Sequence, residues 1–336
     1  MSKENYYYKY SEYLKNHYHE KVYKLPVNLP ITCPNRLEGL GCTFCSDVGT
    51  GFEAMDSRVS VRDQLIQTQT YIRSRYKATK FIAYFQNYTN TFMPLEQLMS
   101  YLQEAAEIED IVEIAISTRP DCIRDDYLDR LLHFSMCTHI AITIELGLQT
   151  ANYHTLKSIH RGHGLAEYID ACMRIKKRGF SLCTHVILNL PGDITDDAIE
   201  TAKILSVTGN DLVKLHSLYI AKGTEMAKDY EKGSFEICSK TDYFQRLRYF
   251  LEYLRPDIAV ERLFSRIPEK DAIFCNWQTS WWKLLDEFHT YMAEADSFQG
   301  KQCTYMNGPA LKHFDRNEND IIKEYSSDNE RRKRKI

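Results

Sequence analysis

The sequence predicts an α/β fold built on a parallel sheet, and three features predict it. Short apolar runs alternate with amphipathic stretches from residue 22 to residue 220. Some runs are apolar on both faces, as in Ile140–Leu148 (IAITIELGL), which suits strands covered on both sides. Polar residues gather directly after the runs, where parallel α/β folds place their ligands.

The elements follow in order. Val22–Leu29 reads as a first strand and Ser60–Lys77 as its helix. Lys80–Gln86 (KFIAYFQ) is a strand, and Leu95–Ile108 a helix with Pro94 in its first turn. Ile111–Ser117 is a strand, Asp125–Met136 a helix and Ile140–Leu148 a strand. Leu165, Ile169, Cys172 and Met173 share one stripe of a helix that Gly179 ends. Leu182–Leu190 is a strand, Thr195–Val207 a helix and Asp211–Ile220 a strand. That makes about six βα units with right-handed crossovers. A doubly wound sheet and a full or partial barrel both fit this periodicity. From residue 240 onward come a helix, the segment RPDIAVERLFSRIPEK, the stretch NWQTSWWKLL and a polar tail ending RRKRKI. Trp277, Trp281 and Trp282 read as core that closes the open side, and Arg262 and Arg266 as residues near the mouth.

Composition narrows the class. The 336 residues are 43% hydrophobic and 26% charged, which describes a globular chain with one large core or two modest ones. A net charge of -3 neither demands nor excludes a nucleic-acid partner. No apolar run approaches the roughly 18–20 residues that span a bilayer. The opening MSKENYYYKYSEYLKNHYHEK lacks the apolar stretch of a secretory signal, so a cytoplasmic location is the default. Ten cysteines in such a chain read as thiols and metal ligands rather than disulfides. Cys122, Cys137, Cys172, Cys183, Cys238, Cys275 and Cys303 are scattered, and read mostly as small buried apolar residues.

The stretch CPNRLEGLGCTFC, residues 33–45, stands apart. It holds Cys33, then after eight residues Cys42, then after two Cys45. A structural zinc site wants four closed ligands, and His17, His19 or a remote histidine could supply the fourth. An iron–sulfur cluster on three thiolates leaves one iron open. Spacing alone leaves both readings standing. The strand ends favour the second. They present Gln86-Asn87-Tyr88-Thr89-Asn90, Ser117-Thr118-Arg119-Pro120-Asp121, Glu145 with Gln149, Arg161-Gly162-His163, His185 with Asn189-Leu190-Pro191-Gly192-Asp193, and Lys214 with His216. Each set has a plain structural explanation, a turn at Pro191-Gly192 for example. Six in register with one cysteine loop point to a polar ligand site.

On these residues the chain resembles radical S-adenosylmethionine (SAM) enzymes over roughly residues 20–270. Cys42-Thr43-Phe44-Cys45 matches that family's motif, with an aromatic before the last cysteine. The commonest pattern has three residues between the first two cysteines and this chain has eight, a long spacing that resembles the branch containing the Elongator catalytic subunit. TRPD at 118–121, IELGLQT at 144–150, RGH at 161–163, LPG at 190–192 and KGT at 222–224 are similar to the bacterial YhcC-like radical SAM family. The resemblance implies a partial (β/α)6 TIM-like barrel of the radical SAM type with N- and C-terminal extensions. Its expected parts are a Tyr/Lys-rich extension at 1–21, the barrel at 22–255, a closing segment at 256–320 and a polar basic tail at 321–336.

The resemblance also implies a [4Fe–4S] cluster on Cys33, Cys42 and Cys45, with the open iron taking the amino and carboxylate groups of SAM. One electron, from a donor such as flavodoxin or ferredoxin, then yields a 5′-deoxyadenosyl radical. Phe44, Gln86, Thr118, Arg119, Glu145, Gln149, Arg161 and His185 are the implied cofactor contacts. Glu145, Gln149 and Arg161 would face the ribose and the methionyl carboxylate. Gln86-Asn87-Tyr88 stands where the family has Gly-Gly-Glu for the SAM amine. No catalytic residue is assigned; Cys183 and Cys303 are candidate hydrogen donors.

The kinship implies tRNA as substrate, at the C5 side chain of the wobble uridine, for example by removal of the carboxymethyl group from carboxymethylaminomethyluridine. The chain after residue 270 is too short for the acetyltransferase domain that follows the radical domain in the Elongator subunit. Tyr6, Tyr7, Tyr8, Tyr10, Tyr13, Tyr18 and Tyr23, interleaved with Lys3, Lys9, Lys15, Lys21 and Lys24, could stack on bases and meet phosphates. An amphipathic helix packing Tyr10, Leu14 and Tyr18 on the barrel explains the same pattern. The Arg331–Lys335 run could add an electrostatic contact. Two other readings stand beside this one: a radical SAM enzyme on a small molecule or protein, and a zinc- or cluster-stabilised RNA- or protein-binding module without catalysis.

Overall fold

The computed structural model describes residues 5–39, 41–46 and 54–314. Lys3, the tail 321–336 and its Arg331–Lys335 run lie outside the described residues. The strands are β1 (Val22–Val27), β2 (Lys80–Phe85), β3 (Ile111–Thr118), β4 (Ala141–Gln149), β5 (Ser181–Ile187), β6 (Leu212–His216), β7 (Ile220–Ala221), β8 (Ala259–Arg262) and β9 (Ala272–Phe274). The helices are α1 (Tyr10–Tyr18), α2 (Pro34–Glu38), α3 (Val61–Tyr76), α4 (Leu95–Ala106), α5 (Asp125–Thr138), α6 (Tyr153–Ser158), α7 (Leu165–Lys177), α8 (Thr195–Val207), α9 (Glu225–Glu231), α10 (Lys240–Tyr253) and α11 (Trp281–Glu294).

Seven parallel strands form one sheet in the order β1-β2-β3-β4-β5-β6-β8. The sheet curls into a half-barrel. The two edge strands do not pair, yet Lys24 of β1 reaches Glu261 of β8 at 2.6 Å across the interior. One face of each strand carries the helix layer, with Leu25, Phe85, Ile114, Ile144, Leu182 and Val213 all buried in one large cluster. The alternate residues point inward, as strand periodicity requires.

The lower interior is apolar and is plugged by α1. Leu14, Val22, Ile82, Tyr84 and Ala115 form one cluster against Tyr10, Tyr13 and Tyr18. Cys183, Leu212 and Ala259 form a second one against Tyr8, Tyr10 and Tyr13. The Tyr8 carbonyl accepts from the Val260 amide at 2.8 Å, so the N-terminal segment docks against β8. The packing explanation of this segment therefore holds for Tyr10, Leu14 and Tyr18, and Lys24 belongs to the barrel interior rather than to a surface stripe.

Several expectations change. PDIAVERL yields a seventh strand, β8, inside the segment placed at 256–320. Asp211–Ile220 is not one strand. Ser217 leaves the sheet, its hydroxyl bonding Asn276 at 2.6 Å, and the Leu218 amide donates to Asn189 Oδ1 at 2.6 Å. The next residues pair antiparallel with β9. The buried stripe of α7 is Tyr168, Ala171, Cys172 and Ile175, while Met173 is 67% exposed. Of the seven scattered cysteines only Cys172 and Cys183 are buried, and Cys137 is exposed. Trp281 and Trp282 are not core: Leu284, Phe288 and Met292 form the buried face of α11, and Trp282 is 57% exposed. Trp277 does pack on the core, beside Tyr243, with its indole N–H on the Cys238 carbonyl at 2.9 Å.

Candidate active site

The cysteine loop follows β1 directly. Cys33 caps α2, which carries Pro34 at its first position, where a missing N–H costs nothing. The chain then turns back through Gly41, at φ +86. The Cys45 amide donates to the Cys42 carbonyl at 3.0 Å, closing the C-x2-C pair into a turn. Two backbone bonds hold this turn over the barrel mouth: Thr43 N–H to Ile159 O at 3.1 Å, and Met226 N–H to Thr43 O at 2.9 Å.

Each of the three sulfurs faces a guanidinium. Arg119 Nη1 is 3.7 Å from Cys33 Sγ, Arg161 Nη1 is 3.5 Å from Cys42 Sγ, and Arg36 Nη2 is 3.8 Å from Cys45 Sγ. Asn35 Nδ2 adds a contact to Cys42 Sγ at 3.4 Å and ties the loop to the His160 and Arg161 carbonyls. This approach requires Gly162: a Cβ there would lie 2.2 Å from Asn35 Oδ1, and its φ is +77. A Cβ at Gly147 would stand 2.5 Å from Arg161 Nη2 and would displace that guanidinium. That nitrogen instead donates to the Gly147 carbonyl at 2.6 Å. The RGH motif is thus the clasp between β4 and the cysteine loop.

All eleven site residues expected from sequence line one cavity: Cys33, Cys42, Phe44, Cys45, Gln86, Thr118, Arg119, Glu145, Gln149, Arg161 and His185. The strand ends deliver them from β2, β3, β4 and β5 to the same rim as the loop. Tyr88, Thr89 and Ser117, from the same strand-end sets, line it as well. Arg36, Gly41 and Gly147 also line it and were not singled out, although Arg36 and Gly41 sit inside the cysteine stretch and Gly147 inside IELGLQT.

The donor set suits a multinuclear cluster. Thiolates on one zinc ion, each about 2.3 Å from it, lie within about 4.6 Å of one another. Among the described residues, the group of three such ligands that close together is Glu145, Cys183 and His185, not the three cysteines. That trio is committed elsewhere, because Glu145 is fully buried and paired with Lys24. Wider spacing, the three guanidinium groups facing the sulfurs and the unpartnered buried Thr89 Oγ1 leave room for a negatively charged cluster with a polar ligand.

Beneath the cavity lies a buried charge network. Lys24 Nζ is 2.6 Å from both Glu145 Oε1 and Glu261 Oε2, and Lys214 Nζ is 2.8 Å from Glu261 Oε1. His185 Nε2 meets Glu145 Oε2 at 2.7 Å. Burial pushes both carboxyls up, but the two lysines pull harder: Glu145 ends well below the usual carboxylate range and Glu261 falls to about 2. Burial lowers His185 despite its carboxylate partner, and burial with the charge of Arg262 lowers His216 further. Two cations therefore balance two anions, with neutral imidazoles above them.

With fold and cavity established, the class follows. The chain belongs to the radical SAM superfamily, whose model matches residues 28–205, and the radical SAM C-terminal domain matches residues 210–294. Its cofactors are accordingly a [4Fe–4S] cluster and SAM. Within the superfamily it is YhcC-like. It is 33% identical to protein YhcC of Escherichia coli over 284 residues, 84% of this chain and 90% of that one. It is also 23% identical over 175 residues to the tRNA uridine(34) acetyltransferase of Methanocaldococcus infernus, covering 50% of this chain and 32% of that protein. The solved structure of archaeal Methanocaldococcus infernus Elp3 superposes with a TM-score of 0.65 at 16% identity, over 83% of this chain and 64% of that one, which shows the shared fold. No described helix is long and apolar enough to cross a membrane.

Proposed function

We propose that this radical SAM enzyme modifies tRNA, removing the carboxymethyl group from a carboxymethylaminomethyl substituent on C5 of the wobble uridine. Cys33, Cys42 and Cys45 would hold the cluster. With the cluster and SAM bound, a 5′-deoxyadenosyl radical would take a hydrogen atom from the carboxymethyl methylene. Loss of a second electron and a proton, with SAM as the net two-electron oxidant, would give an imine that water splits into glyoxylate and the aminomethyl group. Arg36, Arg119 and Arg161 compensate the thiolate charge. Phe44, Gln86, Thr118, Gln149 and His185 wall the SAM site. Both Glu145 oxygens are engaged, Oε1 by Lys24 and Oε2 by His185, yet each keeps a second lone pair for a ribose hydroxyl.

The observation that carries the reading is a second cavity continuous with the first. The two share Phe44, Gln86, Gln149 and His185, and the second runs on to Lys214, His216, Tyr219 and Arg262. A polar substituent on a base splayed out of an anticodon loop would lie beside the SAM site there. The likeness to a tRNA uridine(34) enzyme supports the substrate class. A reducing partner such as flavodoxin or ferredoxin would deliver the electron.

The test is incubation of the reconstituted enzyme with SAM, reductant and tRNA carrying the carboxymethylaminomethyl group. Nucleoside mass spectrometry should show aminomethyluridine growing as its precursor disappears. An unchanged nucleoside profile, with SAM turnover indifferent to tRNA, would remove the substrate assignment and leave the radical core.

A further inference from the structure

The register of β8 slips against β6. Val213 pairs with Val260, but Lys214 pairs with Arg262, leaving Glu261 as the extra residue of a bulge. A bulge re-aims side chains. Here two consecutive residues reach the interior: Glu261 bonds Lys24 and Lys214, and Arg262 lines the second cavity beside His216 and Tyr219.

Arg262 differs from every other charge in that interior. It is half-buried, and among the described residues no carboxylate or hydrogen-bond acceptor meets its guanidinium. The nearby acids are already engaged, Glu145 by Lys24 and His185, Glu261 by Lys24 and Lys214. Its charge helps to keep His216 neutral, so the imidazole does not compete for an anion. Arg266 shares the cavity wall, but its guanidinium rests 3.8 Å over the Trp281 ring. A partly desolvated guanidinium with five donors and no acceptor is a binding site for a planar anion, best a carboxylate held by two hydrogen bonds.

We infer that Arg262 is a specificity-determining residue that binds the carboxylate of the substrate's reacting side chain. The inference rests on the reading above and deepens it. A carboxylate at Arg262 sets the adjoining methylene toward the cavity that His185, Gln86 and Gln149 share with the thiols. Loss of the carboxymethyl group removes the anion, so product is held less tightly than substrate.

The test uses the reconstituted enzyme with SAM, and Arg262→Gln and Arg262→Lys variants judged folded by iron content and melting temperature. Anticodon stem-loop RNAs with carboxymethylaminomethyluridine or aminomethyluridine are compared by fluorescence anisotropy. Wild type should prefer the carboxylated RNA by about tenfold or more, the value of one charge-assisted bidentate contact. The preference should vanish in Arg262→Gln and return in part in Arg262→Lys. A preference undiminished in Arg262→Gln overturns the inference. If wild type binds neither RNA, the wobble-uridine reading fails, and a second readout decides Arg262 alone. Phenylglyoxal labelling, mapped by mass spectrometry, should be slowed at Arg262 by acetate and not by acetamide, with exposed Arg75 unaffected. Equal labelling with both overturns the anion site.

Discussion

In the floor of the barrel Lys24 and Lys214 meet Glu145 and Glu261, two cations on two anions, with Glu145 and Lys214 buried and Lys24 and Glu261 largely shielded. At the rim Arg36 and Arg161 face cysteine sulfur, Arg119 faces Cys33 as well as Asp121, and Arg262 faces no acid. The two regions meet at the strand ends: Glu261 and Arg262 are adjacent on β8, while Arg36, Arg119 and Arg161 lie in the segments that follow β1, β3 and β4. The floor is neutral by itself and holds the strands in place. The rim carries excess positive charge that becomes balanced only when thiolate sulfur, cluster and anionic ligands are present. The balance of charge, rather than burial, separates structure from function in this interior.

The contrast can be broken first at the rim. Cys42→Ala should reduce iron to background and abolish SAM cleavage, while the circular dichroism of the chain stays native. A fully active variant would show that the rim thiols are ornamental. At the floor the response should be stability. Lys24→Met leaves two buried carboxylates short of a partner and should cost about 3–5 kcal/mol in urea unfolding. A loss below about 1 kcal/mol would mean the network is hydrated and weak.

The histidines above the floor sharpen the comparison through pH. His185 and His216 have lowered folded values, so below about pH 6.5 the unfolded chain binds protons that the native chain does not. Stability should therefore fall with pH from that point down to the folded values, by about 1.4 kcal/mol per pH unit for each histidine. Urea midpoints from pH 8 to pH 5 check the sign, and a flat profile would place both histidines in water. The plug comes next: Leu14→Ala, in the apolar layer under the network, should cost about 2–3 kcal/mol in thermal unfolding. The smallest effect belongs to Trp282→Ala, which should stay within about 0.5 kcal/mol because that ring is largely exposed.

Much of the rim was legible because it is written locally. Cysteine spacing, a pre-proline strand exit at Arg119 and the Arg161-Gly162-His163 turn are short motifs, and one cavity gathers them all. Thr195–Val207 emerged with its expected limits because its apolar stripe and first-turn acids agree. What stayed hidden depends on distance along the chain. Lys24 and Glu261 are 237 residues apart and meet because the sheet curls, which periodicity does not encode. β8 is four residues long, too short for an alternation to declare itself, and its bulge decides where Arg262 points. Trp281 and Trp282 misled for the opposite reason: large aromatics suggest core, yet the helix they begin turns Leu284 and Phe288 inward.

The measurement that bears most directly on the account is anaerobic reconstitution with iron and sulfide, followed by reduction in the presence of SAM. Wild type should hold about four irons per chain and release 5′-deoxyadenosine, and Cys45→Ala should do neither. Tightly bound zinc, no cluster and intact SAM would contradict it, and would make the three cysteines a structural metal site.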